Sequence, residues 1–62
     1  MDNYYRVGLR KGLYYFEVYT YDASGNNEHI IYQSEPDYNS ATEATDAAAE
    51  WLEDNNMEAE LE

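Results

Sequence analysis

Acidic side chains recur at helical spacing near the end of this 62-residue chain. They are Glu43, Asp46, Glu50, Glu53 and Asp54. Carboxylates three or four positions apart lie on one side of a helix, about 5.4 Å apart for each turn. This spacing is of the order of that between phosphates on one DNA strand, which rise about 3.4 Å along the axis. The row therefore predicts an electrostatic surface that occupies the basic groove of a nucleic-acid-binding protein.

Two other interpretations of this acidic row remain open. One is an ordinary solvated helix surface, and the other is adaptation of an acid-rich protein to high salt. Solvated helix faces usually mix both signs of charge because ion pairs one turn apart stabilise the helix. The row from Glu43 to Asp54 contains acids and no Lys or Arg. The absence of cations on this face raises mimicry of nucleic-acid charge above its base rate, and both alternatives stay open.

A second group of oxygen-bearing side chains alternates along residues 22–28 in the manner of a calcium loop. These are Asp22, Ser24, Asn26 and Glu28. In a calcium-binding EF-hand loop the glycine is sixth and a bidentate acid is twelfth. Here Gly25 is fourth and no acid follows at the twelfth position. We therefore predict a hairpin loop with Asx-type turns and no metal site.

Catalytic patterns are weak in this sequence. His29 is the single histidine, and the chain has no cysteine, so neither a shared metal nor a histidine-activated thiol is available. Ser40 is explained as a helix N-cap, and Ser34 has no histidine partner in the pattern. No glycine-rich phosphate loop or nucleophile elbow is present. We expect a protein that is not an enzyme and that needs no cofactor.

The charge balance restricts the partners. Fourteen Asp and Glu face three Lys and Arg, which gives a net charge of −11, and no Lys or Arg follows Lys11. Nucleic acids and anionic membranes both require cationic side chains, so direct binding to either is excluded. A protein with a basic surface remains the expected partner. The chain lacks the features of a signal peptide and of an apolar span of about 20 residues, so we expect a cytoplasmic protein.

The elements that position these residues begin with a β-hairpin. Residues 4–10 and 13–21 alternate apolar and polar side chains with the period of a strand, and Lys11-Gly12 forms a two-residue turn. Pairing Arg10 with Leu13 gathers the apolar side chains on one face. That face contains the pairs Leu9–Tyr14, Val7–Phe16 and Tyr5–Val18, and the other contains Arg6–Glu17, Tyr4–Tyr19 and Gly8–Tyr15.

A third strand and a helix complete the predicted fold. Residues 29–34 form the third strand, antiparallel to the second, with Ile31 rather than Ile30 expected in the core. A capping box at Ser40 and Glu43 begins a helix over residues 41–54. Its apolar stripe is Ala41, Ala44, Ala47, Ala48, Trp51 and Leu52. The fold class is α+β: a three-stranded antiparallel sheet, in the order β-β-β-α, with the helix on one face.

We expect residues 1–56 to form this single domain and residues 57–62 to fray as an acidic tail. The closing Leu61-Glu62 matches the dipeptide that cloning leaves ahead of a purification tag.

Four tyrosines share the sheet face that one helix leaves uncovered: Tyr4, Tyr15, Tyr19 and Tyr21. Tyrosine is enriched at protein interfaces because it offers contact area together with a polar tip. A chain of this size buries about 60% of its unfolded surface, and no disulfide is available to supplement its core. We therefore predict a homodimer that uses this face or a sheet edge. An ordinary half-solvated antiparallel face is the alternative.

The central part of the chain also resembles a known family. The pattern is Ile31, then Ser34-Glu35, then Tyr38, Ser40 and Ala44, preceded by two strands. It is similar to the YegP-like family of small domains, in which a turn leads into an Ile-rich strand, Ser-Glu, Tyr and a capped helix. The resemblance covers roughly residues 13–52. It implies a ββββα-type or βββα fold, an arrangement as tandem repeats or as paired single repeats, and no established activity.

Overall fold

The computed structural model describes residues 3–62 and contains one helix on one face of a mixed sheet. Its elements are β1 (Asn3–Arg10), β2 (Leu13–Tyr21), β3 (Glu28–Gln33), α1 (Ala41–Asp54) and β4 (Glu60–Leu61). The strand order in the sheet is β3-β2-β1-β4. The pairs β1–β2 and β2–β3 are antiparallel, and β4 pairs parallel to β1. The α+β class is confirmed, whereas the prediction of three antiparallel strands missed the fourth, parallel one.

The predicted hairpin register is confirmed. Every pair from Asn3 with Thr20 to Arg10 with Leu13 is formed. Lys11 and Gly12 have φ angles of 52° and 83°, and positive φ at both central positions is the signature of a type I′ turn. A Cβ added at Gly8 would lie 2.4 Å from the Tyr15 ring, so a glycine is what lets this ring lie over β1.

The edge strand β3 contains a bulge. Tyr32 pairs with Val18 and Ile30 pairs with Tyr19, so that Ile31 is an extra residue without a partner in β2. Ile30 and Ile31 are 50% and 41% exposed. The expectation that Ile31 lies in the core was therefore wrong. The bulge shifts the alternation by one residue, and it is Tyr32 that shares the helix-facing side of the sheet with Val18.

The hydrophobic core lies between α1 and the helix-facing side of β2. Phe16, Val18, Ala48 and Leu52 form its buried centre. Small alanines let the helix approach the sheet closely, and Ala44 and Ala48 are fully buried. Trp51 flanks this core and stacks on Tyr32 with ring centroids 4.8 Å apart and an interplanar angle of 16°. The stacked pair ties the helix to the edge strand.

A capping motif at the end of α1 returns the chain to the sheet. The Asn56 backbone is left-handed, with φ of 53°. The Met57 amide donates to the Leu52 carbonyl at 2.9 Å, and the Asn56 amide donates to the Glu53 carbonyl at 3.1 Å. This pair of bonds is the Schellman motif. It directs Met57 and Ala59 onto the core, so the segment expected to fray instead packs on the sheet and ends in β4.

Candidate protein interface

The start of α1 is fixed by Ser40 and Glu43. The Ser40 hydroxyl accepts a hydrogen bond from the Glu43 amide at 3.1 Å, as the capping box predicts. The Glu43 carboxylate accepts from the Asn39 amide at 2.9 Å rather than from the Ser40 amide. These bonds satisfy free amides at the helix N-terminus and fix where the helix begins.

All the carboxylates of the predicted row are exposed. We call this surface the acidic ridge; it consists of Glu43, Asp46, Glu50, Glu53 and Asp54. At about 100° of rotation per residue, these side chains fall within an arc of about 100°. The fully buried Ala44 and Ala48 lie on the other side of the helix. The sequence thus brings the ridge residues together on the face that points away from the sheet.

The acidic ridge has no compensating cation. In the part of the chain that the structure describes, the ion pairs all involve Arg6, with Glu17, Glu28 and Glu62 as partners. The last turn of α1 contains no basic residue. A helix C-terminus is a centre of partial negative charge, so Glu53 and Asp54 stand where carboxylates are unfavourable. Glu53 and Asp54 therefore cost the fold stability, whereas Glu43 contributes to it through its hydrogen bond at the helix N-terminus.

The opposite sheet face is organised around Arg6. Its guanidinium makes a forked hydrogen bond to both oxygens of Glu28 at 2.9 Å and also donates to Glu17. Glu17 accepts a further hydrogen bond from the side-chain amide of Gln33 at 3.0 Å. The bonds to Glu28 and Glu17 hold the pKa of Arg6 above its already high ordinary value, and the bonds from Arg6 lower the pKa of Glu28.

The tyrosines of this face lie around the same arginine. Arg6 sits over the Tyr19 ring, 4.3 Å from its centroid. Tyr4 stacks on Tyr19 with centroids 5.8 Å apart, and Tyr21 meets both rings edge-on. Tyr19 is fully buried beneath these neighbours. Burial, followed by a hydrogen bond to Glu62, raises the pKa of Tyr19 above its ordinary value.

The open face is therefore not a uniform tyrosine surface. Tyr4, Tyr15 and Tyr21 are half-buried, and Tyr15 lies under Arg10, 5.0 Å from the guanidinium carbon. Tyr19 has no exposed area that a partner could reach. The expectation that Tyr19 belongs to a contact surface is therefore wrong, because its side chain is buried. The sequence predicted the Arg6–Glu17 pair, whereas the hydrogen bonds from Arg6 to Glu28 depend on the bulge in β3 and were not predicted.

The loop after β2 is ordered by its own carboxylate. One Asp22 oxygen accepts hydrogen bonds from the Ser24 hydroxyl at 2.6 Å and from the Ser24 and Asn26 amides. The other accepts from the Asn27 side chain at 2.8 Å. These bonds, those from Ser24 and Asn27 above all, lower the pKa of Asp22. The prediction of a loop with Asx-type turns is confirmed.

This loop predicts a loss of stability in acid. The pKa of Asp22 is lower in the folded chain than in the unfolded one, where it is about 3.9. Its contribution is therefore present above about pH 4 and is lost as the pH falls below that value. Protonation also relieves the repulsion within the acidic ridge, and Glu28 adds a destabilising change, but both effects are shared with Asp22→Asn. We therefore expect the difference in melting temperature between the unmodified protein and Asp22→Asn to shrink between about pH 5 and 3. A difference that stays constant with pH, or that shrinks equally for the exposed control Asp37→Asn, would contradict this account.

The remaining candidates have structural roles. The Ser34 hydroxyl accepts the Phe16 amide at 2.9 Å, which extends the β2–β3 pairing beyond the end of β3. His29 is exposed and pairs with Thr20 across the sheet. Within residues 3–62, no group of His, Cys, Asp and Glu side chains is arranged to hold a metal ion. The helix of this described region is not of the length and apolar character needed to cross a membrane.

Comparison with known proteins adds no relative to this description. No family model matches the chain, and neither a curated protein nor a solved structure is significantly similar to it.

Proposed function

We propose that this chain is a non-enzymatic protein-interaction module whose acidic ridge occupies the basic groove of a nucleic-acid-binding protein. The observation that carries the proposal is the exposed row of carboxylates on α1, which has no cation beside it in residues 3–62. From Glu43 to Asp54 the ridge rises about 16 Å along the helix axis. That length matches about five nucleotides of one DNA strand at about 3.4 Å each.

The energetic cost of the ridge supports a role outside folding. Like charges one turn apart destabilise a helix by about 0.2–0.5 kcal/mol for each pair. Glu50 has such neighbours in Asp46, Glu53 and Asp54. Local choices that oppose stability tend to occur at functional sites. A surface selected for solubility alone could include lysines among these acids at no cost to the fold.

Affinity capture with a charge-inverted variant tests the proposal. The immobilised protein is exposed to a lysate at low salt, and bound proteins are released by a salt step. We expect the captured proteins to be nucleic-acid binders that added duplex DNA displaces, because both ligands would use one groove. We expect the double variant Asp46→Lys/Glu50→Lys to capture at least tenfold less protein. A groove that binds nucleic acid attracts negative charge, and its ionic contacts weaken steeply when that charge is removed.

The control variant is Glu35→Lys/Asp37→Lys, which makes the same change in net charge at exposed positions outside the helix. It should retain capture. Equal losses in the two variants would mean that net charge alone attracts the captured proteins. Captured proteins that duplex DNA fails to displace would end the mimicry proposal.

A second candidate function is a stand-alone structural domain of the YegP-like type, acidic for solubility or high-salt adaptation. The observation that favours it is that the residues of the resemblance make structural contacts. Ser34 bonds to Phe16, Tyr38 pairs with Tyr14, and Ser40 caps the helix. Such a domain, monomeric or dimeric, would form no salt-sensitive complex with a basic protein. The capture experiment therefore separates the two functions.

A further inference from the structure

A groove lies beside the acidic ridge, between α1, the start of β1 and the segment that leads to β4. Its volume is about 610 Å³, within the range of about 300–1,000 Å³ that is usual for ligand sites. The Schellman motif creates it by folding Met57 back toward Leu52. A bond of 3.3 Å from the Asn3 side chain to the Glu58 carbonyl holds the far wall against β1.

The groove has an apolar floor and an acidic rim. The floor and apolar walls are Tyr5, Ala49, Leu52, Met57 and Ala59. The rim contains Glu53 from the helix and Glu58 and Glu60 from the returning segment. These carboxylates have no ion-pair partner among the described residues. Floor and rim together are complementary to an apolar stem that ends in a positive charge.

We propose that this groove receives a lysine or arginine side chain of the basic protein partner. The inference rests on the proposed function and names the anchor of the same interface, because Glu53 belongs to both the ridge and the groove. Lysine and arginine stems cover apolar surface while their charged heads stay at the polar rim. Here the stem lies on Leu52 and Met57, and the ammonium or guanidinium group lies among the rim carboxylates. A buried arginine anchor is a typical interface hot spot.

The groove is tested with a defined probe. A short capped peptide with one central lysine between alanines is titrated into the protein and followed by NMR. We expect saturable shifts at the Met57 and Leu52 methyl groups and at the Tyr5 ring. A matched peptide with norleucine keeps the stem and removes the charge, and its dissociation constant should be at least fivefold higher. Equal binding of the two peptides would overturn the proposed charge recognition.

Three variants locate the site. Glu53→Gln/Glu58→Gln should raise the dissociation constant of the lysine peptide at least fivefold. Asp46→Asn/Glu50→Gln makes the same charge change on the ridge outside the groove and should alter it less than twofold. Ala49→Phe adds bulk at an exposed position of the groove wall without changing charge, and should abolish the shifts at Met57. Binding that survives Ala49→Phe, or falls equally in both charge variants, would overturn the proposal.

These experiments distinguish failure of the groove proposal from failure of the proposed function of the ridge. Tighter binding of spermidine than of the peptide would assign the groove to free polyamines and overturn the protein side-chain assignment. Failure of the peptide with continued capture by the ridge would remove the groove alone. The ridge proposal fails if Asp46→Lys/Glu50→Lys captures as much protein as the unmodified chain. These two residues do not line the groove, so that result would not depend on the groove.

Discussion

Replacing Arg6 by methionine is expected to destabilise the folded state by about 2–3 kcal/mol. Removing one partner from a buried ion pair costs about 3–5 kcal/mol, because the other charge stays buried without compensation. The Arg6 side chain is 31% exposed and that of Glu17 is 8% exposed, so a value below that range is appropriate. After the substitution, the remaining hydrogen-bond partner of the Glu17 carboxylate is the neutral side-chain amide of Gln33. Tyr19 also loses the cation that covers its ring.

Thermal unfolding followed by circular dichroism measures this effect. For a domain of this size each 1 kcal/mol lowers the melting temperature by about 4–8 °C, so a fall of about 8–24 °C is expected. Arg10→Met is the matched control, since Arg10 is exposed and makes no ion pair within residues 3–62. It loses only the contact of its guanidinium with the Tyr15 ring, so it should change stability by less than about 1 kcal/mol.

A double variant isolates the role of the charge. Arg6→Met/Glu17→Leu removes both members of the pair, and apolar replacements of a buried pair are often neutral or stabilising. We expect it to recover most of the loss caused by Arg6→Met. If the double variant is as unstable as the sum of the single ones, the two side chains are not coupled and the interpretation of the cluster fails.

Replacing Phe16 by alanine should remove most of the stability of the protein. Phe16 is 2% exposed and its ring lies 5.7 Å and 6.2 Å from the rings of Tyr32 and Tyr38. A buried Phe→Ala change costs about 3–5 kcal/mol through lost transfer energy and the cavity left behind. A domain of this length has a total stability of about 3–9 kcal/mol. The variant is therefore expected to be partly unfolded at room temperature.

Urea unfolding, with Phe16→Leu as a milder companion, gives the measurement. Phe16→Leu should cost less than Phe16→Ala because it leaves a smaller cavity. The surface control is Leu9→Ala, at a residue that is 60% exposed, with an expected change of less than about 0.5 kcal/mol. Similar losses in Leu9→Ala and Phe16→Ala would mean that the core lies elsewhere.

The sequence predicted the parts of the fold that depend on local periodicity. Alternation on both sides of Lys11-Gly12 defined the hairpin pairs, because a shift of one residue would move every apolar side chain to the wrong face. The Ser40 cap and the alanine stripe likewise defined α1 and the direction of its acidic residues. The ridge was predictable because it is a property of a single helix.

The missed features depend on contacts between distant residues. A two-residue strand such as β4 has no period to detect, and its pairing with Tyr4 and Tyr5 follows from the left-handed turn at Asn56. The bulge at Ile31 depends on the register in which β3 pairs with β2, and the composition of β3 does not reveal that register. The groove could not be foreseen for the same reason: its walls come from three segments that are adjacent only after folding.

The extra residue in β3 also affects how readily further chains could add to this edge of the sheet. An open strand with exposed Ile30, Ile31 and Tyr32 is the kind of edge on which further chains can add, as in fibrils. A bulge bends and twists such an edge, so that a second chain meets an irregular row of amides and carbonyls. Straightening the strand would turn this margin of the sheet into a template for intermolecular β-structure.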